Sequence, residues 1–144
     1  MPTRNEVETV VQRRLAGFLR RASMTTAPHE DNEALADPIG WALRRLGYAP
    51  ASLATITDDD LAGLAAGHVD ALLDLAELRA IESMITNLDN VSTQTGPVRS
   101  EWDNLRKDLL TYWEKRRPLV AAMWGHLLAI PLDESVKMVR MRAL

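Results

Sequence analysis

The stretch Val69-Asp70-Ala71-Leu72-Leu73-Asp74-Leu75-Ala76-Glu77-Leu78-Arg79-Ala80-Ile81, continuing to Leu88, decides the fold. Val69, Leu72, Leu73, Ala76, Ala80, Met84, Ile85 and Leu88 recur every three or four residues, the period of one helix face. Leu75, Leu78 and Ile81 widen that face. A stripe this broad predicts a central helix touching several neighbours.

Working outward, Asp89 to Gly96 reads as a loop, and Pro97 opens a second helix. Its Val98, Trp102, Leu105, Leu109, Tyr112 and Arg116 keep three-four spacing. The helix is expected to end near Arg117, because Pro118 disfavours helix in the residue before it. Upstream, Thr57-Asp58-Asp59-Asp60 reads as a hydroxyl cap with three acids at the positive end of a helix dipole. That helix should run to Ala65 or Ala66, with Gly67 breaking it. No calcium-loop spacing follows the aspartates, so capping is preferred to a metal site.

Asp37-Pro38 predicts a further helix start, with aspartate as N-cap and proline at the first helical position. This helix buries Ile39, Leu43 and Leu46, has Trp41 on its flank, and is stopped by Gly47 as a left-handed cap. Ser52 to Ile56 reads as an extended connector. The first helix, from about residue 4 to 22, buries Val7, Val10, Val11, Leu15, Phe18 and Leu19 and turns Arg13, Arg14 and Arg20 outward. No stretch alternates at strand period. The chain is expected to be all-α: a bundle of four to five helices over residues 1–117, with a C-terminal arm over 118–144.

Composition agrees with one folded domain. There are 144 residues, 47% hydrophobic and 26% charged, enough to bury a core. The absence of cysteine excludes disulfide frameworks, cysteine-ligated zinc, iron–sulfur clusters and cysteine nucleophiles. A net charge of -3 argues against a coat that binds by neutralising phosphates. No secretory leader is visible, and the apolar run Leu119–Leu132 is shorter than the roughly 20 residues a membrane span needs. A soluble protein made in the cytoplasm is expected, with no membrane partner.

The tail departs from the bundle pattern. Residues 119–130 are apolar on every side, Pro131 interrupts them, and Lys137, Arg140 and Arg142 lie near the end. Such a segment has no solvent face, so Met123, Trp124, Leu127, Leu128, Ile130, Val136, Met138, Arg140 and Arg142 are read as an arm that a partner covers. The competing reading folds this segment back on its own core. Arg13, Arg14 and Arg20 with Asp58, Asp59 and Asp60 are candidate charges between subunits or along a channel.

No catalytic site emerges. His29, His68 and His126 stand apart, without zinc-binding spacing, and neither a nucleophile elbow nor a phosphate loop is present. Asp70/Asp74 and Glu77/Glu82 fall on helices, where solvated surface is the ordinary reading. No cofactor or metal is expected, and the chain is not read as an enzyme. The helix after Thr57 would meet DNA with three aspartates, which is the wrong sign for recognition.

Ala71 to Glu82, followed by Asn87-Leu88-Asp89-Asn90-Val91 and Thr95-Gly96-Pro97, resembles the small helical head–tail connector proteins (adaptor or head-completion) of tailed bacteriophages. Asp37 to Tyr48 and Thr57 to Leu61 suit the same group, so the resemblance covers roughly residues 4–117. It implies a homo-oligomeric ring, usually dodecameric, in the virion neck, assembled in the host cytoplasm beneath the portal protein. It further implies a C-terminal segment reaching the portal and loops receiving the next neck or tail protein. Arginines facing the channel would touch passing DNA without reading sequence. The unusually apolar tail departs from the family pattern. The alternative is a small helical cytoplasmic regulator or a DNA-packaging-associated protein.

Overall fold

A computed structural model describes residues 2–21, 35–52, 55–89 and 97–132. Its elements in chain order are α1 (Arg4–Arg14), α2 (Ala16–Arg21), α3 (Ala36–Arg45), α4 (Asp58–Ala62), α5 (Val69–Asp89) and α6 (Pro97–Trp124). Short 3-10 turns cover Ala66–His68 and Gly125–Leu127. There is no strand among the described residues. The protein is a small all-α bundle.

The broad stripe of α5 takes the central place its sequence requires. α1, α3 and α6 all pack on it, and Leu72, Leu75, Ala76, Leu78, Ile81 and Ile85 are buried in the contact. α1 and α2 are the expected first helix, interrupted at Leu15, whose φ of -102° and ψ of 7° leave helical geometry. The Leu15 and Leu19 amides still bond back to Val11 and Leu15. One face therefore continues across the break, burying Val7, Val11, Leu15 and Leu19.

Two helix boundaries differ from the sequence reading. α3 starts at Ala36 behind Leu35, which offers no side-chain cap. Asp37 lies inside the first turn, where it favours the dipole and pairs with Arg79 at 3.3 Å. α4 stops at Ala62 with Gly63 as its C-cap, not at Ala65 or Ala66. Gly47 behaves as expected. Its φ of 93° lets the Gly47 amide reach Arg44 O and the Tyr48 amide reach Leu43 O, the double closure of a Schellman turn. Gly40 matters for a different reason: a Cβ there would meet Ile56 Cδ1 at 3.2 Å, so the missing side chain lets the connector lie close against α3.

The largest correction concerns residue 118. α6 does not end at Arg117 but continues through Pro118 to Trp124. Proline removes one intrahelical donor and crowds the carbonyl four residues back. Burial of Val120 and a hydrogen bond from Trp124 Nε1 to Asp74 Oδ2 at 2.7 Å offset that cost. The core face of α6 runs Leu105, Leu109, Trp113, Val120, with Trp113 buried where Tyr112 and Arg116 were expected.

Candidate functional site

The segment read as an arm is two-sided as far as Leu132. Toward the bundle, Val120 is buried, and Trp124, Leu127, Leu128 and Leu132 are partly buried against the core. The Ala129 amide donates to Arg45 O at 2.7 Å, and Ala129 sits against Gly47. The boundary expected at residues 117/118 is thus not the edge of the core, and Trp124, Leu127 and Leu128 face their own chain. Away from the bundle, Leu119, Met123 and Ile130 are 58%, 52% and 46% exposed. Residues 118–132 contain no Asp, Glu, Lys or Arg. The exposed side of α6 is charged from Glu101 to Lys115 and loses all charge from Pro118 onward. Val136, Met138, Arg140 and Arg142 lie outside the described residues.

Beneath this segment is a cluster of charges that sequence reasoning assigned to solvated surface. Asp74 and Glu77 of α5 are buried. Asp74 Oδ1 accepts from Arg14 Nη1 at 2.7 Å and from Arg116 Nη2 at 3.1 Å, while its Oδ2 accepts from Trp124. Glu77 Oε2 accepts from Arg14 at 3.2 Å, and its Oε1 accepts from the Tyr112 hydroxyl. All four carboxylate oxygens are used, and two anions face two cations. Burial, reinforced by the Glu77 hydrogen bond and charge, pushes the Tyr112 hydroxyl up to about 12. Burial alone would lower the Arg14 pKa, but the bonds and charges of Asp74 and Glu77 raise it. The arrangement ties α1 and α6 to α5. The carboxylates are held charged by two guanidiniums and two neutral donors, which makes the cluster a structural clamp. Arg14 is exposed, as the sequence reading has it, but its guanidinium also reaches Asp74 and Glu77 and so joins the outer basic face to the cluster.

The acidic start of α4 is absorbed locally. Thr57 and Asp60 form a capping box. Asp60 also accepts from the Ala51 amide at 3.2 Å, and its bond from the Thr57 amide, above all, holds its carboxyl below the usual range. Asp58 accepts from the Arg4 amide at 2.7 Å. Asp59 is exposed, as are Arg13 and Arg20 on α1 and α2. These charges are not brought together into one site.

Tyr48 and His68 share a hydrogen bond of 2.7 Å, and the Tyr48 hydroxyl accepts from the Ala65 amide at 3.0 Å. This pins the turn before α5 onto the end of α3. His126 is exposed, and His29 lies outside the described residues. Among the described residues, no group of His, Asp and Glu is arranged to hold a metal ion, and no helix is long and apolar enough to cross a membrane.

The chain matches no family model, no curated protein and no solved structure.

Proposed function

We propose that this chain is a structural adaptor of the neck of a tailed bacteriophage. In this reading it forms a ring between the portal protein and the tail-side components and helps to join head and tail. The observation that carries the assembly reading is the uncharged outer face beyond Pro118, where Leu119, Met123 and Ile130 stand in solvent. Single exposed apolar residues are ordinary, but an outer face that loses all charge at one end of a helix is suited to covering by another protein. The phage assignment rests on the sequence resemblance over residues 4–117, and the all-α bundle agrees with it. The ring, its contact with portal and tail-side partners, and its place in the virion neck belong to this proposal.

The test is a double substitution, Leu119→Glu with Met123→Glu, confined to the outer face. Because both side chains point to solvent, unfolding should shift by no more than about 0.5 kcal/mol. The parent chain, mixed with the portal protein encoded in the same genome, should sediment as a ring-bearing complex, and the double variant should not. A parent chain that ignores the portal overturns the neck reading. Salt-sensitive binding to a DNA duplex in its place would favour the packaging-associated alternative.

A further inference from the structure

Residues 118–132 are joined to the rest of α6 through a proline within the helix. At their base, Pro118 lacks the amide that would bond the Glu114 carbonyl, so the ladder of α6 is interrupted where the segment begins. At their far end the helix gives way to the Gly125–Leu127 3-10 turn and then to extended backbone at Leu128. Among the described residues, the inward attachments of 118–132 include the buried Val120, the partly buried Trp124 with its bond to Asp74, the Ala129–Arg45 bond with a longer one from Ile130 to the same carbonyl at 3.4 Å, and three partly buried leucines.

The charges of the Asp74 cluster stay paired without this segment. Arg14 and Arg116 both bind Oδ1, and both precede Pro118 in the chain. Removing Trp124 from Oδ2 leaves two anions still facing two cations. No buried charge is stranded, which is the penalty that ordinarily locks such a contact. The Arg45 carbonyl, freed of Ala129, lies at a helix end where water can replace the lost donor.

We propose that residues 118–132 are a strap, hinged at Pro118 and latched by Trp124 on Asp74 and by Ala129 on Arg45, that opens as one unit while α1, α3, α5 and α6 up to Arg117 stay packed. This deepens the assembly reading, on which its biological use rests. The docking element is held closed in the free chain, and a partner that binds the open form draws it out by population shift.

The experiment is amide hydrogen exchange of the full chain alone, followed by mass spectrometry, with Trp124→Phe and Pro118→Ala as variants. Amides of 119–128 should exchange together, at least tenfold faster than those of 105–116 and 72–85. Trp124→Phe should speed the strap about tenfold further, the loss of one hydrogen bond, and leave 72–85 unchanged. Pro118→Ala should slow it. Strap amides that exchange at the rate of α5, or a Trp124→Phe effect spread equally over α5 and α6, overturn the proposal. Since no partner is present, that failure leaves the docking reading standing. Loss of portal binding in the outer-face variant tests docking without reference to the strap.

Discussion

Asp74→Asn changes one atom of the molecule's charge cluster and keeps its shape. The carboxylate accepts three hydrogen bonds, from Arg14, Arg116 and Trp124. An amide has only one oxygen. Placed toward the arginines, it preserves both guanidinium contacts, now to a neutral acceptor, and turns its NH2 group toward the Trp124 N–H, two donors face to face. Each arginine keeps a charge-assisted bond but loses the attraction of the carboxylate's charge, about 1 kcal/mol for a partly exposed pair. The Trp124 bond to the charged carboxylate is lost outright, for about another 1.5 kcal/mol. Arg14 and Arg116 keep 32% and 28% of their side chains exposed, so water recovers part of this. The net cost is then about 2–3 kcal/mol. Urea unfolding followed by far-ultraviolet circular dichroism at neutral pH measures it, provided the transition is two-state. A loss below about 0.5 kcal/mol, the range of an ordinary surface substitution, would refute the view that this cluster clamps α1 and α6 to α5.

Burial of the Glu82 carboxyl, only partly countered by Arg79, the Trp113 N–H and Arg117, raises its pKa in the folded state. The folded chain therefore holds a proton that the unfolded chain has released, and Glu82 costs stability progressively as pH rises through the window above the ordinary glutamate value. Glu82→Gln should gain on the parent between pH 4 and pH 7 in urea melts, whereas a constant difference would count against this. Gln12 is buried on α1 with neither amide atom hydrogen-bonded, so Gln12→Met should raise stability by about 1 kcal/mol. Thermal unfolding would show the reverse if the amide has a partner after all.

The parts of the fold that were readable in the sequence are those whose causes are local. The α5 stripe carries its own period, the Gly47 turn closes between residues 43 and 48, and Thr57 and Asp60 cap each other three residues apart. Where the cause is tertiary, the reading failed. Asp74 and Glu77 look like surface acids on a helix because Arg14 and Arg116 are 60 and 42 residues from Asp74 along the chain. Pro118 looks like a helix end because nothing adjacent shows that Val120 and Trp124 find compensation on α5. Asp37-Pro38 resembles a start signal strongly enough to hide a helix that begins two residues earlier, at Ala36. The apolar excess of the tail was legible, but its division into an inner and an outer face was not. That division depends on which side α3 and α5 leave open.

The Arg45 carbonyl, held by Ala129, also bears on the order in which the chain folds. The Gly47 closure a residue or two away joins groups five positions apart or fewer and can form as soon as α3 does. The Ala129 contact joins residues 45 and 129, so its loop entropy has to be met before any reward arrives. During synthesis, residues 1–117 emerge before the segment that covers them. The segment that docks on Arg45 therefore emerges after the bundle it covers, and for that interval the nascent chain presents its α3–α5 surface uncovered.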